Sequence, residues 1–350
     1  MHRLASLLIL LLSLCGGNLY ADDLPVPGPA QKHIALLLPL KSNIYGRAAD
    51  AFRQGFMTAA TFQPGLPIVF YPTIDQTEDV LHVYRQAVQA GAALVAGPLT
   101  RNAVTTLLEE QLPVPTLALN TPEYNSALPQ NLYIFSLNIE SEARQVARLA
   151  FGEGHRSALT ITATTPLGKR VQGAFIDEWL KLGGTIVERL NFTPNQNGYP
   201  KLRTAVAKIE ADMLFLAADA EKARAVRPYL DNSIPTYATS LVYGDNGHAG
   251  RNLDLNQIHF VEMPWLIQHD HPAVITYPRP ITPLSLEQER FYALGIDAYR
   301  ISVQLLEPTP DAWPLDGVTG QIDLDGQQFT RELTAAQFRQ GEAVAVHATP

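Results

Sequence analysis

The stretch HIALLLPL at residues 33–40, followed by YGRAADAFRQGF at residues 45–56, decides the fold class of this chain. The first stretch is an uninterrupted apolar run, which predicts a β-strand buried on both faces of a sheet. The second predicts a helix with one buried face, because apolar residues recur at helical spacing at Ala48, Phe52, Phe56 and Ala59. A buried strand that leads through a short polar loop into such a helix is the first half of a parallel βα unit.

Length and composition favour a large globular protein with an acidic surface. The chain has 350 residues, of which 46% are apolar, and it carries 26 Lys and Arg against 34 Asp and Glu. A chain of this length exceeds what one core usually organises, so two lobes are expected. The net charge of -8 and the lack of a long basic run argue against a nucleic-acid partner and against attachment to anionic lipid.

Residues 1–21 have the pattern of a cleavable signal peptide, and residues 22–32 that of an extended, proline-rich leader. The apolar part of the signal is too short to span a bilayer, which needs about 20 apolar residues. Cys15 follows the large residue Leu14, whereas lipidation requires a small residue before the cysteine. Cleavage after Ala21 is therefore favoured, and membrane attachment is expected only if Cys15 is lipidated. The mature chain then has no cysteine for a disulfide or a thiol nucleophile.

Downstream of residue 33, predicted strands and helices alternate in two similar runs. This order predicts an α/β protein with two Rossmann-like lobes, each with a parallel sheet covered by helices. The C-terminal part differs, because a strand at 258–264 precedes a long helix at 286–306 and a β-hairpin at 318–333 that turns at Asp325-Gly326. We therefore expect the chain to return to the first lobe before it ends in the second. The predicted division is 33–137 with 262–316 for lobe one, and 138–261 with 317–350 for lobe two.

The order of these elements resembles the type I periplasmic-binding-protein fold, in which three crossovers form a hinge and a ligand cleft lies between the lobes. Four segments also resemble the LppC/LpoA family of penicillin-binding-protein activators. In order, they are IALLLPL…YGRAADAFRQGF, AGPLTRNAV, FYALGIDAYRI and DGVTGQIDLDGQQFTRELTAAQFRQGEAV. The resemblance runs from about Ile34 to Val346. Two departures from the family are expected. The better-known members carry a helical-repeat domain before this module, and none is expected before Ile34. Cys15 also lies in a poor lipidation sequence.

The resemblance implies a non-enzymatic regulator in the periplasm of a Gram-negative bacterium, which binds a class A penicillin-binding protein and stimulates peptidoglycan synthesis. An outer-membrane lipoprotein is the less favoured localisation. The alternative function is a periplasmic solute-binding protein whose lobes close on an amino acid or a peptidoglycan fragment, and a hydrolase in the cleft is a third. Polar groups that converge on the cleft favour the solute binder. Bulky side chains in the cleft, with an exposed apolar patch elsewhere, favour a protein partner.

Polar residues follow the predicted strands of both lobes, at the end of the sheet where open α/β proteins bind ligands. Their hydroxyl and amide groups, together with helix N-termini nearby, suit a small polar ligand. The alternative is that each residue caps a helix or closes a turn. The candidate ligand-binding residues are Lys41, Ser42, Thr100, Asn120, Thr121 and Ser136 in lobe one, and Thr164, Thr165, Asp219 and Ser240 in lobe two.

Motifs of catalysis and metal binding are weak in this sequence. It contains no Gly-x-Ser-x-Gly, His-Glu-x-x-His or Ser-x-x-Lys pattern, so we expect no enzyme. His269-Asp270-His271, with His259 and Glu262 upstream, is the one group of potential metal ligands. Pro272 follows it in a proline-rich stretch that predicts a surface loop. We therefore expect neither a metal nor a cofactor.

The proline-rich segment 268–285 is predicted to be a long surface loop, with Tyr277 exposed in it and Trp265 exposed just before it. Long loops inside compact domains often carry function, and aromatic side chains are enriched at protein interfaces. The segment is therefore the predicted docking surface for a protein partner. The alternative is a rigid surface excursion without a partner.

Overall fold

The structure is a computed structural model, and it describes residues 31–74, 76–124, 126–193, 198–244, 249–307 and 313–346. The predicted signal peptide at 1–21, and the leader at 22–32 except for its last two residues, lie outside the described residues. In these ranges, no helix is long and apolar enough to cross a membrane.

Strands and helices alternate through most of the described chain, as the sequence predicts. The strands are β1 (His33–Leu38), β2 (Ile68–Pro72), β3 (Ala92–Ala96), β4 (Thr116–Ala118), β5 (Leu132–Phe135), β6 (Ser157–Ala163), β7 (Thr185–Phe192), β8 (Met213–Ala217), β9 (Thr236–Ala238), β10 (His259–Glu262), β11 (Leu315–Gly317), β12 (Gly320–Asp325), β13 (Gln328–Glu332), β14 (Thr334–Arg339) and β15 (Glu342–Ala345). The α-helices are α1 (Gly46–Phe62), α2 (Thr77–Gln89), α3 (Arg101–Thr106), α4 (Ile139–Gly152), α5 (Pro166–Lys181), α6 (Gly198–Val206), α7 (Ala220–Val226), α8 (Ala249–Asn252), α9 (Pro264–Ile267), α10 (Pro272–Ile275) and α11 (Leu286–Leu306).

The strands form two sheets, one in each lobe. The first has the order β11-β12-β13-β5-β4-β3-β1-β2, and the second has the order β15-β14-β10-β9-β8-β6-β7. The opening apolar run forms β1, which is buried along its whole length and pairs in parallel with β2 and β3. Antiparallel pairs occur only toward one side of each sheet in the described chain, at β11–β12–β13 and at β10–β14–β15. The predicted two-lobed α/β class is confirmed.

Three short crossovers connect the lobes and form the hinge. The first joins β5 to α4 through residues 136–138, the second is Met263 between β10 and α9, and the third is Leu333 between β13 and β14. The predicted hairpin at 318–333 is present as β12 and β13, and Gly326 at its turn has a φ of 60°, which glycine adopts without strain.

The predicted lobe boundaries need two corrections. Residues 317–332 were assigned to lobe two, but β12 and β13 belong to the first sheet, because β13 pairs in parallel with β5. Phe329 of β13 is buried there, with its ring 6.2 Å from that of Phe135. Residue 262 was assigned to lobe one, but β10 ends the parallel run of the second sheet beside β9. Both corrections arise because strand pairing depends on partners distant in sequence.

Helices α1 and α11 pack against each other at very short range in lobe one. A Cβ atom on Gly55 would lie 1.9 Å from the carbonyl oxygen of Tyr292, and one on Gly295 would lie 2.1 Å from that of Phe52. Only residues without a side chain allow the two backbones to approach this closely. This contact fixes α11, whose N-terminal turns form one wall of the site described next.

Candidate functional site between the lobes

A cavity of about 610 Å³ lies between the two lobes, beside the hinge. Lobe one contributes the first turns of α11, and lobe two contributes α4 and the loop that follows β9. The side chains that matter most here are Glu142 on α4, Ser240 and Tyr243 after β9, and Arg290 and Phe291 on α11. A capping box at Ser285 and Gln288 starts α11 and sets the direction in which Arg290 leaves the helix.

Arg290 and Glu262 form a buried ion pair across the lobes. Arg290 Nη2 lies 2.5 Å from Glu262 Oε2, and the glutamate is completely buried. The same nitrogen donates to the carbonyl oxygens of Ser240 at 3.2 Å and Tyr243 at 2.8 Å. Burial alone lowers the pKa of Arg290, but the adjacent Glu262 carboxylate reverses this effect, so that the net pKa is raised. The pair therefore joins α11 of lobe one to β10 and the β9 loop of lobe two.

A second buried pair, Glu142 and Arg331, lies beside the first crossover. Arg331 Nη2 is 3.9 Å from Glu142 Oε1, and Arg331 Nε donates to the carbonyl oxygen of Ser136 at 3.1 Å. The backbone N–H of Ser240 donates to Glu142 Oε2 at 3.1 Å. Burial raises the pKa of Glu142 to about 7, although Arg331 and Ser240 oppose this shift. The Glu142 carboxyl is therefore the group of this site that titrates near neutral pH.

We call Glu142, Glu262, Arg290 and Arg331 the hinge network, because the residues or their neighbours contact all three crossovers. Arg331 bonds to the first crossover, and the N–H of Met263 in the second donates to Glu262 Oε1 at 2.9 Å. Leu333, the third crossover, exchanges two backbone hydrogen bonds with the side chain of Gln145, at 2.7 and 3.0 Å. Removing one partner of a buried pair such as Arg290 and Glu262 costs about 3–5 kcal/mol, because the other charge is left buried and unpaired.

The predicted site residues of lobe one are mostly engaged in local structure. The Ser42 hydroxyl accepts from two N–H groups of its own turn, the Thr100 hydroxyl caps α3, and Asn120 donates to the carbonyl oxygen of Leu99 at 3.1 Å. Lys41 is exposed. Thr121 and Ser136 both line a smaller void of about 40 Å³, beside Arg331.

In lobe two, local structure again engages most of the predicted residues. Thr165 caps α5, Asp219 caps α7, and the Thr164 hydroxyl donates to the carbonyl oxygen of Phe192 at 3.1 Å. Of the ten predicted residues, Ser240 is the one that lines the interlobe cavity. The structure thus places Thr121 and Ser136 at the same void and Ser240 at a different cavity. Ligand binding by any of the ten residues stays a prediction.

Sequence reasoning missed most of the hinge network. Glu262 was considered only as a potential metal ligand, whereas its carboxylate pairs with Arg290. Glu142, Arg290 and Arg331 each lie among polar neighbours in helix or strand sequences that are ordinary for a solvated face. The usable signal was the acidic residue in the apolar sequence Phe260-Val261-Glu262-Met263, because a buried carboxylate requires a cationic partner.

The histidine cluster of the sequence is separated in the structure. His269 Nδ1 lies 2.6 Å from Arg279 Nη2, His271 Nδ1 accepts from the N–H of Ala273, and His259 Nε2 contacts Gln337. Across the described parts of the chain, no three Cys, His, Asp or Glu residues are grouped as a metal site requires.

The predicted docking loop needs one correction, because Trp265 is fully buried rather than exposed. Its indole packs in the core of lobe one, and its Nε1 donates to Glu289 Oε2 at 2.6 Å. Tyr277 is half-buried and packs edge-on against Phe62 at 5.5 Å. Two large apolar residues of this segment are exposed: Ile275 is 67% exposed and Ile281 is entirely so. The aromatic residues therefore pack beneath the loop, and these isoleucines lie on its surface.

Two lobes with mostly parallel sheets, three short crossovers and an interlobe cavity define the type I periplasmic-binding-protein class. The family model described as "LppC putative lipoprotein" matches residues 29–197 and 201–341. The chain therefore belongs to the LppC family, as its sequence motifs predicted.

Curated relatives and solved structures agree with this assignment. "Penicillin-binding protein activator LpoA" of Edwardsiella piscicida is 28% identical over 333 residues, which cover 82% of this chain and 48% of the relative. The chain thus spans about half the length of the curated relatives it matches. A Chromobacterium violaceum structure described as "a putative branched-chain amino acid ABC transporter" is 36% identical, with a TM-score of 0.75 over 87% of this chain and 99% of that one. The C-domain of Haemophilus influenzae LpoA, described as "a regulator of PBP1A", has a TM-score of 0.74 at 24% identity, over 90% of this chain and 100% of that one. At this identity, the similarity supports the fold of this chain and not its role.

Proposed function

We propose that this chain is a periplasmic, non-enzymatic regulator that binds a class A penicillin-binding protein and stimulates its peptidoglycan synthesis. The observation that carries the proposal is the LppC family match, which extends across both lobes, together with curated relatives named as penicillin-binding protein activators. Export would follow cleavage of the signal peptide after Ala21. Membrane attachment would require lipidation of Cys15.

Activation in this proposal is a population shift of the synthase. A regulator can favour the active state only if it binds that state more tightly than the inactive one. A regulator whose lobes are held in one conformation is pre-organised. It therefore loses less conformational entropy on binding than a regulator whose lobes move freely. The hinge network supports this mechanism, because buried ion pairs tie α11 to β10 and β13 to α4. The lobes then act as one body.

The docking surface in this proposal is the loop patch, which we define as Phe62, Ile275 and Ile281. These side chains are 53%, 67% and fully exposed, and Phe62 packs against Tyr277 of the same segment. Exposed apolar patches mark interaction sites. The loop that carries Ile275 and Ile281 is held to the core of lobe one through Arg279 and Trp265. Arg279 donates to the carbonyl oxygen of Trp265 at 2.6 Å, and its guanidinium lies 4.0 Å from the centroid of the Trp265 ring. A pre-ordered apolar loop loses little entropy on binding a protein partner.

Binding of purified class A penicillin-binding protein to the immobilised chain from Asp22 tests this proposal. The wild type should bind and should raise glycan synthesis from lipid-linked precursor. The double variant Ile275→Asp/Ile281→Asp should weaken binding about tenfold or more, because it places charges in an apolar interface. Leu180→Asp/Val187→Asp is the matched control, because these lobe-two side chains are 50% and 44% exposed. The proposal is wrong if no class A synthase binds, and the docking assignment is wrong if both double variants bind equally.

A solute-binding function is the second candidate, and one observation favours it. The Chromobacterium violaceum structure is the more identical of the two solved structures compared above, and it matches this chain along nearly its whole length. The interlobe cavity of about 610 Å³ is within the range of small-molecule sites. Native mass spectrometry of the purified chain would detect a co-purified solute. Its retention after dialysis, with loss in a Ser240→Trp variant that fills the cavity, would support solute binding in place of synthase activation.

A further inference from the structure

A second large cavity lies within lobe two, at the amino-terminal ends of β9 and β10. Its volume is about 580 Å³, and it shares no lining residue with the interlobe cavity. Open α/β sheets bind ligands at the carboxyl ends of their strands, so this position is outside the usual cleft. We call it the lobe-two cavity, and three of its lining residues carry basic side chains: Arg227, His259 and Arg339.

The two arginines of this cavity have no carboxylate within ion-pair distance among the described residues, whereas His259 interacts with the Glu153 carboxylate. Arg227 is only 6% exposed, and its Nη1 donates to the neutral hydroxyl of Thr236 at 3.2 Å. Arg339 is exposed, and its Nε donates to the amide oxygen of Gln337. The acidic residue next in sequence to the lining, Asp231, accepts both the N–H and the hydroxyl of Ser233. None of the residues that line the cavity is acidic.

The contrast with the hinge network makes this arrangement unusual for the chain. Arg331 is also buried, the Arg290 side chain is 16% exposed, and each has a glutamate within ion-pair distance. A buried cation without a counter-charge is costly and is retained only where something compensates for it. Burial accordingly lowers the pKa of Arg227, with no carboxylate to oppose the shift.

The remaining lining groups suit an oxyanion rather than an apolar ligand. The side chains of Asn232, Asn256, Gln257 and Gln340 carry amide N–H donors, whereas the Ser233 hydroxyl already donates to Asp231. Gln257 and Gln340 have φ values of 68° and 54°, in the left-handed region that residues other than glycine rarely adopt. His259 also lines the cavity, and its buried Nδ1 has no hydrogen-bond partner among the residues that the structure describes. Arginine forks and amide donors are the groups that bind carboxylate and phosphate oxygens.

We propose that the lobe-two cavity binds a small ligand through a carboxylate or phosphate oxyanion held between Arg227 and Arg339. The site is independent of the proposed synthase partner, because it lies on the other lobe from the loop patch. Its ligand would stabilise lobe two by mass action.

Thermal unfolding and calorimetry of the chain from Asp22 test this proposal, with inorganic phosphate and citrate as probes and sodium chloride of equal ionic strength as the reference. Phosphate, citrate or both should raise the unfolding temperature above the chloride value. A response to one probe alone identifies the oxyanion class. Arg339→Gln, which removes an exposed side chain, should weaken binding about tenfold, as expected for one charge-assisted hydrogen bond.

Arg227→Gln provides the second, independent readout. It should abolish the response to oxyanions, yet leave the unfolding temperature in chloride unchanged or higher, because an uncompensated buried charge is removed. Arg189→Gln, an exposed arginine of β7 in the same lobe, is the matched control and should respond as the wild type does. The proposal is overturned if neither probe exceeds chloride, or if the responses of Arg227→Gln and Arg339→Gln equal that of the wild type.

Discussion

Replacement of Glu142 by glutamine tests the electrostatics of the hinge directly. The Glu142 carboxyl is 3% exposed, and burial raises its pKa from 4.5 to about 7. A carboxyl whose pKa is raised by folding stabilises the folded chain while it is protonated, below the unfolded pKa. This stability is lost as the pH rises through the folded pKa. Because one pKa unit corresponds to about 1.4 kcal/mol, the loss amounts to about 3 kcal/mol between about pH 4 and pH 8.

The measurement is the free energy of unfolding by urea, followed through tryptophan fluorescence at several pH values. Trp179 and Trp265 are both buried, one in each lobe, so the signal reports on both. The difference between wild type and Glu142→Gln cancels groups common to both proteins, including Asp297, whose pKa burial also raises. This difference should fall by about 3 kcal/mol with rising pH over that interval.

The exposed Glu287 on the rim of the same cavity provides the control. Glu287→Gln should retain the pH profile of the wild type, because its side chain is solvated. A difference between wild type and Glu142→Gln that stays constant with pH, or that increases with pH, would refute the assignment of Glu142 as a buried, titrating group.

Two further predictions concern packing and the ion pair of the hinge. Gly55→Ala should lower the free energy of unfolding by about 2 kcal/mol or more, because the new methyl group overlaps the backbone of α11. Gly173→Ala has open space around it and should raise the free energy of unfolding by about 0.5–1 kcal/mol. Equal effects of the two alanines in urea unfolding would contradict the close helix contact. Arg290→Met should cost about 3–5 kcal/mol by leaving Glu262 buried and unpaired, and Glu262→Met in the same chain should recover part of that loss. A single Arg290→Met variant as stable as the wild type would show that the pair contributes nothing.

The sequence predicted most of the architecture because its information about local structure is strong. The run from Ile34 to Leu38 is apolar without interruption, and it is a fully buried central strand in the structure. The hairpin that turns at Gly326 was predicted from its turn residues and its alternating pattern. Its lobe was not, because the pairing of β13 with β5 joins segments that are separated in sequence by most of the second lobe.

The functional site was less accessible from the sequence. Six of the ten predicted site residues have side chains that cap a helix or hydrogen-bond to a backbone group of their own lobe, as many polar residues of α/β proteins do. The prediction of Trp265 at the surface was wrong, because α9 turns the indole into the core after Met263. Residue type alone does not indicate which way a short helix faces.

What the sequence by itself determined is the order and type of the elements, the acidic character and the family, since these depend on local patterns and on motifs in a fixed order. Only the tertiary structure decided which charged groups are buried together. Glu142 meets Arg331, and Glu262 meets Arg290, while Arg227 is left without a carboxylate in the described chain. The physical reason is that the cost of a buried charge depends on its distance from an opposite charge. That distance is set by how two sheets and three crossovers pack, which no local pattern contains.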